Sequence, residues 1–511
     1  MKLFRKTLIL THRYLGIPLS LLFMLWFASG ITMIYARGMP RLTPELRIER
    51  LPPIAFDQVM VVPADLDQRD RGGPRGGGAG GGRTTLLTVM GRPAYRVGQA
   101  TIFADTGERL REVGRGGALM IASRFMSLPE DRLHYVDELY EPDQWTIQQR
   151  PLPLHKIVVD DAALTELYVS EQSGEVAVMT TRGSRALAWV AAIPHWLYFA
   201  PLRLQGRAWQ QTVIWLSAIG SLFAVLGMVV GIMQWKPTRP HIPYGGWMRW
   251  HHIGGLIFGV LTLTWVFSGL LSMDPWQWPT SGPGLNLRGA LAGANDLSRF
   301  SAIDAERRKP LLSEGDIKEV DFAWIEDEPY YLVRGSMRQP SLVAADTMQT
   351  GRQPASIESL MARLEKAIPD VPILKSEVLS TYDAYYYQQD RGAALPVVRV
   401  QLGDPDRTWL YIDPQMSQIV GTFRRYDRLE RWLYRGFHSL DFSFWYYNRP
   451  LWDLVVITLC LAGFTTSGIG FLLGVRRMGR GIRRIARSRR PPAILNKTSE
   501  TLQMTTDRRQ L

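Results

Sequence analysis

Cysteine is almost missing from this chain: one, Cys460, stands among 511 residues. A single thiol excludes an internal disulfide, a CxxCH haem attachment, a four-cysteine zinc site and a cysteine-held iron–sulfur cluster. Any metal or cofactor must therefore be held by His, Met or carboxylates. Acidic residues are missing from four long apolar runs, with no Asp or Glu in 15–35, 213–235, 253–273 or 455–475. Proton-coupled transport usually relies on such residues, so a transporter is disfavoured. No nucleotide, flavin or nicotinamide motif occurs. The glycine tract from Gly72 to Gly82 lacks the preceding strand, the following helix and the Walker Lys-Ser/Thr of a phosphate loop, and reads as a flexible linker.

What the chain does have is apolar length and positive charge. With 60 Lys+Arg against 47 Asp+Glu it carries a formal +13, and its mean hydropathy of −0.08 averages apolar runs with polar stretches. Each run is long enough to cross a bilayer, which takes about 20 helical residues. The expected fold class is an integral membrane protein with four transmembrane helices in a tandem parallel repeat and two outer α+β regions. The expected organisation is an N-terminus and first span over 1–36, an outer region over 37–208, a span over 209–235 and a link over 236–249. A span over 250–274, a second outer region over 275–450, a span over 451–475 and a basic tail over 476–511 complete it. Lys2, Arg5 and Lys6, then Lys236, Arg239 and Arg249, then eight arginines between Arg476 and Arg490 flank the spans on one side. The positive-inside rule makes that side cytoplasmic, with both termini inside. The first run has no A-x-A site and reads as an uncleaved anchor. The basic tail reads as lying on anionic lipid, with no nucleic-acid partner.

In the second outer region Ser356 to Pro369 has helical periodicity, and YDAYYYQQ, LPVVRVQLGD and TWLYIDPQMSQIVG read as strands of an antiparallel meander. The first region offers LTVMGRPAYRV, ATIFADTGERL and TELYVSEQSGEVAVMTT.

An internal duplication is the most informative pattern. His12, Gly16, Trp26, Ser29 and Gly30 follow H-x3-G-x9-W-x2-S-G, and His251, Gly255, Trp265, Ser268 and Gly269 repeat it 239 positions later. His195, Leu197, Phe199, Trp209, Gly220, Gly227 and Gly231 recur 243 positions later as His438, Leu440, Phe442, Trp452, Gly463, Gly470 and Gly474. Parallel repeats pack around a pseudo-two-fold axis along the membrane normal, so equivalent residues face one another. His12 should oppose His251 near the cytoplasmic side, and His195 should oppose His438 on the outer side. A histidine at a membrane boundary is ordinarily just an interfacial polar residue; four of eight on duplicated positions point to a shared task. His134, His155, His241 and His252 have no counterpart and read as ordinary polar residues. The repeated glycines suit either close helix packing or a smooth face for a flat cofactor.

Two opposed neutral imidazoles suit the axial positions of a non-covalent haem b, one at each pair. Two imidazoles alone make a poor zinc site, which wants four ligands; copper held by His and Met stays open, although the methionines do not follow the duplication.

The span signature HRYLGIPLSLLFMLWFASG, the tyrosine-rich strands YVSEQSGEVAV and YIDPQMSQIVG, and the HWLYF and FHSLDF segments resemble the PepSY-associated transmembrane family over nearly the whole chain. The resemblance implies a bacterial inner-membrane protein with periplasmic PepSY modules, related to iron-regulated membrane proteins and haem-containing ferric-siderophore reductases. On that analogy His12, His195, His251 and His438 are haem-iron ligands. The implied partners are a ferric siderophore or other ferric chelate and a cytoplasmic or quinol electron donor. The second repeat departs from the family's strand turn, with Met416 and Ser417 where a glycine is usual. The competing expectation is a non-enzymatic PepSY scaffold that regulates a peptidase or assists uptake.

Overall fold

The computed structural model describes residues 2–36, 38–66, 84–98, 100–149, 151–276, 287, 289, 291–293, 296–300, 316–335, 340–388 and 392–488. The Gly72–Gly82 tract lies outside the described residues. Among the described residues four helices are long and apolar enough to cross a membrane: Leu3–Ala36, Gly206–Gln234, Gly246–Leu271 and Leu451–Gly481. The protein is therefore a multi-pass membrane protein. The last helix continues to Ser488, so the first arginines of the basic tail are helical.

Two compact units divide the chain. The first contains Met1–Met24, Leu222–Thr262 and the chain from Leu461; the second contains Leu25–Ser221 and Leu263–Cys460.

Among the described residues the second unit carries three antiparallel sheets. β1 (Thr84–Val89), β2 (Arg92–Val97) and β3 (Ala100–Phe103) join β8 (Ile317–Ile325), β9 (Glu328–Gly335) and β10 (Ser341–Ala344) in one sheet of order β10-β9-β8-β1-β2-β3. Its register is symmetric. Thr85 pairs with Asp321, and the flanking pairs are Thr84 with Phe322 and Leu86 with Val320. Both halves have a two-residue hairpin in which each turn residue has positive φ, Met90-Gly91 in one and Glu326-Asp327 in the other, the conformation that matches strand twist. Counting back from these turns makes Thr85 the counterpart of Asp321, so the sheet's two-fold passes between them. The Thr85 hydroxyl donates to Asp321 across it at 2.6 Å.

Each repeat then builds a helix on a four-stranded meander. In the first, β4 (Leu133–Leu139), β5 (Leu154–Val159), β6 (Glu166–Ser170) and β7 (Val176–Thr180) pair in sequence order behind the Gly114–Met126 helix. Alternate residues Ile157 and Val159, with Leu167 and Val169, meet Ala118, Ile121, Ala122 and Phe125, the period-two and period-3.6 faces that such packing requires. In the second, β11 (Ile373–Leu379), β12 (Val397–Leu402), β13 (Trp409–Asp413) and β14 (Gln418–Phe423) carry the Ile357–Ala367 helix. Ser356 caps its N-terminus by accepting from the Ser359 amide, and Leu360 and Leu364, one turn apart, are fully buried on the sheet.

The described part of the segment YDAYYYQQ, Tyr382 to Gln388, is not a strand. β11 ends before it, and the Asp383 carboxylate accepts from the Tyr385 and Tyr386 amides, which bends the chain locally instead of leaving those groups for a ladder. Position 417 adopts positive φ without glycine: Ser417 has φ +43° where Gly174, its counterpart, has +65°.

Candidate cofactor sites

The duplicated histidines meet in pairs. In the first unit the His12 and His251 ring centroids are 6.3 Å apart; in the second, His195 and His438 are 6.0 Å apart. Two imidazoles that bind one metal ion through Nε2 from opposite sides, each about 2.0–2.1 Å from it, have centroids about 6.3 Å apart.

The His195–His438 pair is built by local devices, of which one recurs in both repeats. A capping box, with Thr181 and Ser184 exchanging side-chain and amide bonds, starts the Arg182–Val190 helix that leads to the short Ala192–Trp196 helix bearing His195. His438 follows a π-helical turn over Arg431–Gly436, a wide turn found most often where function requires it. Two residues past each histidine the chain reverses at a leucine in the left-handed region, Leu197 at φ +54° and Leu440 at φ +52°, a conformation rare for a side chain with a Cβ.

Hydrogen bonding fixes the tautomer. Ser29 donates its single hydroxyl hydrogen to the Leu25 carbonyl at 2.7 Å, so at 3.1 Å from His195 Nδ1 its oxygen accepts. Ser268, its counterpart, donates to the Trp265 carbonyl and lies 3.0 Å from His438 Nδ1, which also faces that carbonyl at 3.2 Å. A carbonyl only accepts, so Nδ1 carries the proton in both rings and Nε2 is left with a free lone pair. Burial, with the His438 ring beside it, pushes the His195 imidazole down to about 3, and burial pushes His438 down to about 4. Both rings are therefore neutral at physiological pH, as metal ligation requires.

His438 has further support that the first repeat lacks. Arg431 and Asp441, both buried, pair at 2.9 Å and close the loop that carries it; Arg431 also donates to the Ala384 carbonyl at 2.6 Å, and Tyr387 donates to Asp441. The Tyr434 ring stacks on the imidazole at 5.1 Å.

At the His12–His251 pair His251 Nδ1 donates to the Thr466 carbonyl at 3.1 Å. That helix carbonyl is reachable because the residue one turn on is Gly470, where a Cβ would lie 2.7 Å from His251 Cε1. Gly227, the counterpart of Gly470, stands in the same relation to His12, at 3.0 Å. Thr466 itself has Phe223 as its counterpart, whose ring stacks on His12 at 4.8 Å, and His12 Nδ1 is buried without a hydrogen-bond partner among the described residues. A cavity of about 220 Å³ opens beside both rings, lined by Gly16, Gly227, Gly255 and Gly470 among others. The glycines thus divide by role: Gly227 and Gly470 make room for imidazoles, while Gly231 and Gly474 abut Leu256 and Ile17 and serve close helix packing.

Two of the unduplicated histidines are not ordinary polar residues. His252 is buried, lines the same cavity and leaves Nε2 without a partner among the described residues; His155 is buried in the first meander. His134 is exposed. Ser29, Ser268, Gly227 and Gly470 acquire roles that periodicity alone did not assign, though their duplication marked them.

A scan against protein-family models gives no match, and no curated protein is significantly similar to the chain. The geometry therefore carries the functional reading.

Proposed function

We propose that this chain is a di-haem b transmembrane electron-transfer protein of a bacterial inner membrane that reduces a ferric chelate, such as a ferric siderophore, outside the cell. One observation carries the reading: four duplicated histidines form two pairs at the spacing of two imidazoles on one metal ion, with Nδ1 anchored in three of them. His12 with His251, and His195 with His438, would each hold one haem through Nε2. When bound, haem b supplies a one-electron ferric–ferrous couple. Held by two histidines, each haem would have no site left for a further ligand, which suits outer-sphere transfer rather than oxygen chemistry. Ser29 and Ser268 orient the outer imidazoles, and neutral rings avoid placing charge in an apolar setting. The chain's own residues offer no flavin or nicotinamide site by sequence, so electrons would come from quinol or a cytoplasmic reductant. The acceptor's Fe3+ gains one electron and leaves its chelate as Fe2+.

The purified protein should show low-spin b-type bands that sharpen with dithionite, with two haems per chain by pyridine haemochrome. His12→Ala or His251→Ala should remove one, and His195→Ala or His438→Ala the other, while His134→Ala leaves both. A colourless preparation from haem-supplemented cells would overturn the cofactor. Anaerobically reduced protein should reoxidise with a ferric hydroxamate and release Fe2+ to a ferrous trap; reoxidation by a quinone alone would move the acceptor away from iron. Reporter fusions after Gly282 and Arg490 should be active outside and inside respectively.

A further inference from the structure

The first meander holds a polar group that its duplicate lacks. On the face of β5 turned to the Gly114–Met126 helix, the row His155, Ile157, Val159 is apolar except at His155, which is 1% exposed. Glu138 pairs with it across β4–β5, and Glu171 follows the last residue of β6. One ligand atom from each of the three lies within 4.8 Å of the others. In the second repeat the same cross-strand pair is Val378 with Val398, and the residue after β13 is Pro414. The same architecture therefore folds on aliphatic residues, so packing does not demand a buried imidazole between two carboxylates.

The trio is also oriented as ligands are. Glu171 accepts from the Val113 and Gly114 amides at 2.9 and 3.1 Å, which holds its carboxylate against His155 Nε2. On the other side of the ring the Tyr135 hydroxyl is 3.0 Å from Nδ1, the outer-sphere partner a metal-bound histidine usually has. The second repeat caps its equivalent helix locally with Ser356, so the long-range cap by Glu171 is again specific to the first. Two carboxylates and a neutral imidazole balance a divalent charge. One nitrogen and two oxygen donors suit zinc and its first-row neighbours, whereas calcium takes six to eight oxygens. Glu138 is half-buried and leaves a side open to water.

We infer that Glu138, His155 and Glu171 bind a divalent first-row transition-metal cation, independently of the paired histidines. Nε2 of His155, which faces Glu171, and the two carboxylates would meet the cation, with the Tyr135 hydroxyl at Nδ1 orienting the ring and water completing the coordination.

The test uses the full chain, haem-loaded, in detergent, with zinc chloride as the probe in equilibrium dialysis and metal analysis. Wild type should retain one zinc per chain at micromolar free metal and unfold at a higher temperature with zinc present. His155→Val and Glu138→Val, which install the residue type the second repeat uses, should lose that zinc with the visible spectrum unchanged, while His134→Ala keeps it. Tyr135→Phe should weaken binding about 10–100-fold. Calcium should not compete. Equal zinc retention by wild type and Glu138→Val, or by wild type and His155→Val, would overturn the site and leave a buried ion pair that only caps a helix.

Discussion

Replacing Gly470 by Ala tests whether the glycine exists to seat an imidazole. The added Cβ would lie 2.7 Å from His251 Cε1 and 3.2 Å from Nδ1, whereas carbon atoms rest about 3.5–4.0 Å apart. The ring must retreat by about 0.8 Å or more, several times the roughly 0.2 Å tolerance of a metal–ligand distance. Overpacking of this kind costs about 1–3 kcal/mol, a loss of about 5–150-fold in occupancy of the His12–His251 site if charged to binding. Gly227→Ala, starting from 3.0 Å at His12, should cost less. Gly30→Ala and Gly269→Ala place a Cβ at 3.6 Å from His195 and 3.9 Å from His438, ordinary contacts, and should be tolerated. Pyridine haemochrome on the four purified variants reads the series directly. Two haems with an unshifted spectrum in Gly470→Ala, or equal losses in all four, would refute the argument.

Ser29→Ala or Ser268→Ala removes the hydroxyl acceptor from the Nδ1–H of His195 or His438 and leaves a backbone carbonyl beside it; cofactor affinity should fall by up to about 10-fold, and the midpoint potential of the His195–His438 centre alone should move in a redox titration. Leu364→Ala opens a cavity beneath the Ile357–Ala367 helix, and thermal or chemical unfolding should report a loss of about 2–5 kcal/mol with the haem bands unaffected. Burial pushes Glu175 up, but the Arg96 and Arg47 guanidinium charges outweigh it and hold the carboxyl below its ordinary 4.5. A lowered folded value means that the unfolded chain binds the proton first, so the stability Glu175 supplies is in place above that ordinary value and fades as pH falls through the folded one. Melting temperature against pH should show this decline in wild type, and Glu175→Gln should flatten it.

The spans and the histidine pairing were legible because both rest on strong signals: about 20 consecutive apolar residues, and positions that recur without a gap. Hairpins such as β6–β7 were legible from alternation about a glycine turn. The β8–β9 hairpin was not, because its turn is Glu326-Asp327 in place of the Asn-Gly type that announces a type I′ turn. YDAYYYQQ misled because tyrosine favours strands, while Asp383 supplied the local alternative. The Glu138–His155–Glu171 group draws on three separate strands and turns, and no spacing in one sequence brings it together. The Arg431–Asp441 closure around His438 likewise has no counterpart, so the duplication was silent about it.

The Thr85–Asp321 pairing has a consequence for how such a chain can be divided. A single repeat, cut free, would present β1 or β8 as a bare edge of unpaired amides and carbonyls, and would carry only half of every histidine pair. Its self-complementary partner is another copy of itself, since a strand that meets its own counterpart about a two-fold is an isologous interface. The protein thus has the arrangement of a two-fold dimer within one polypeptide. Fusion frees the two halves to diverge while their shared centre stays closed, and Gly174 against Ser417, or His155 against Val398, are the marks of that freedom.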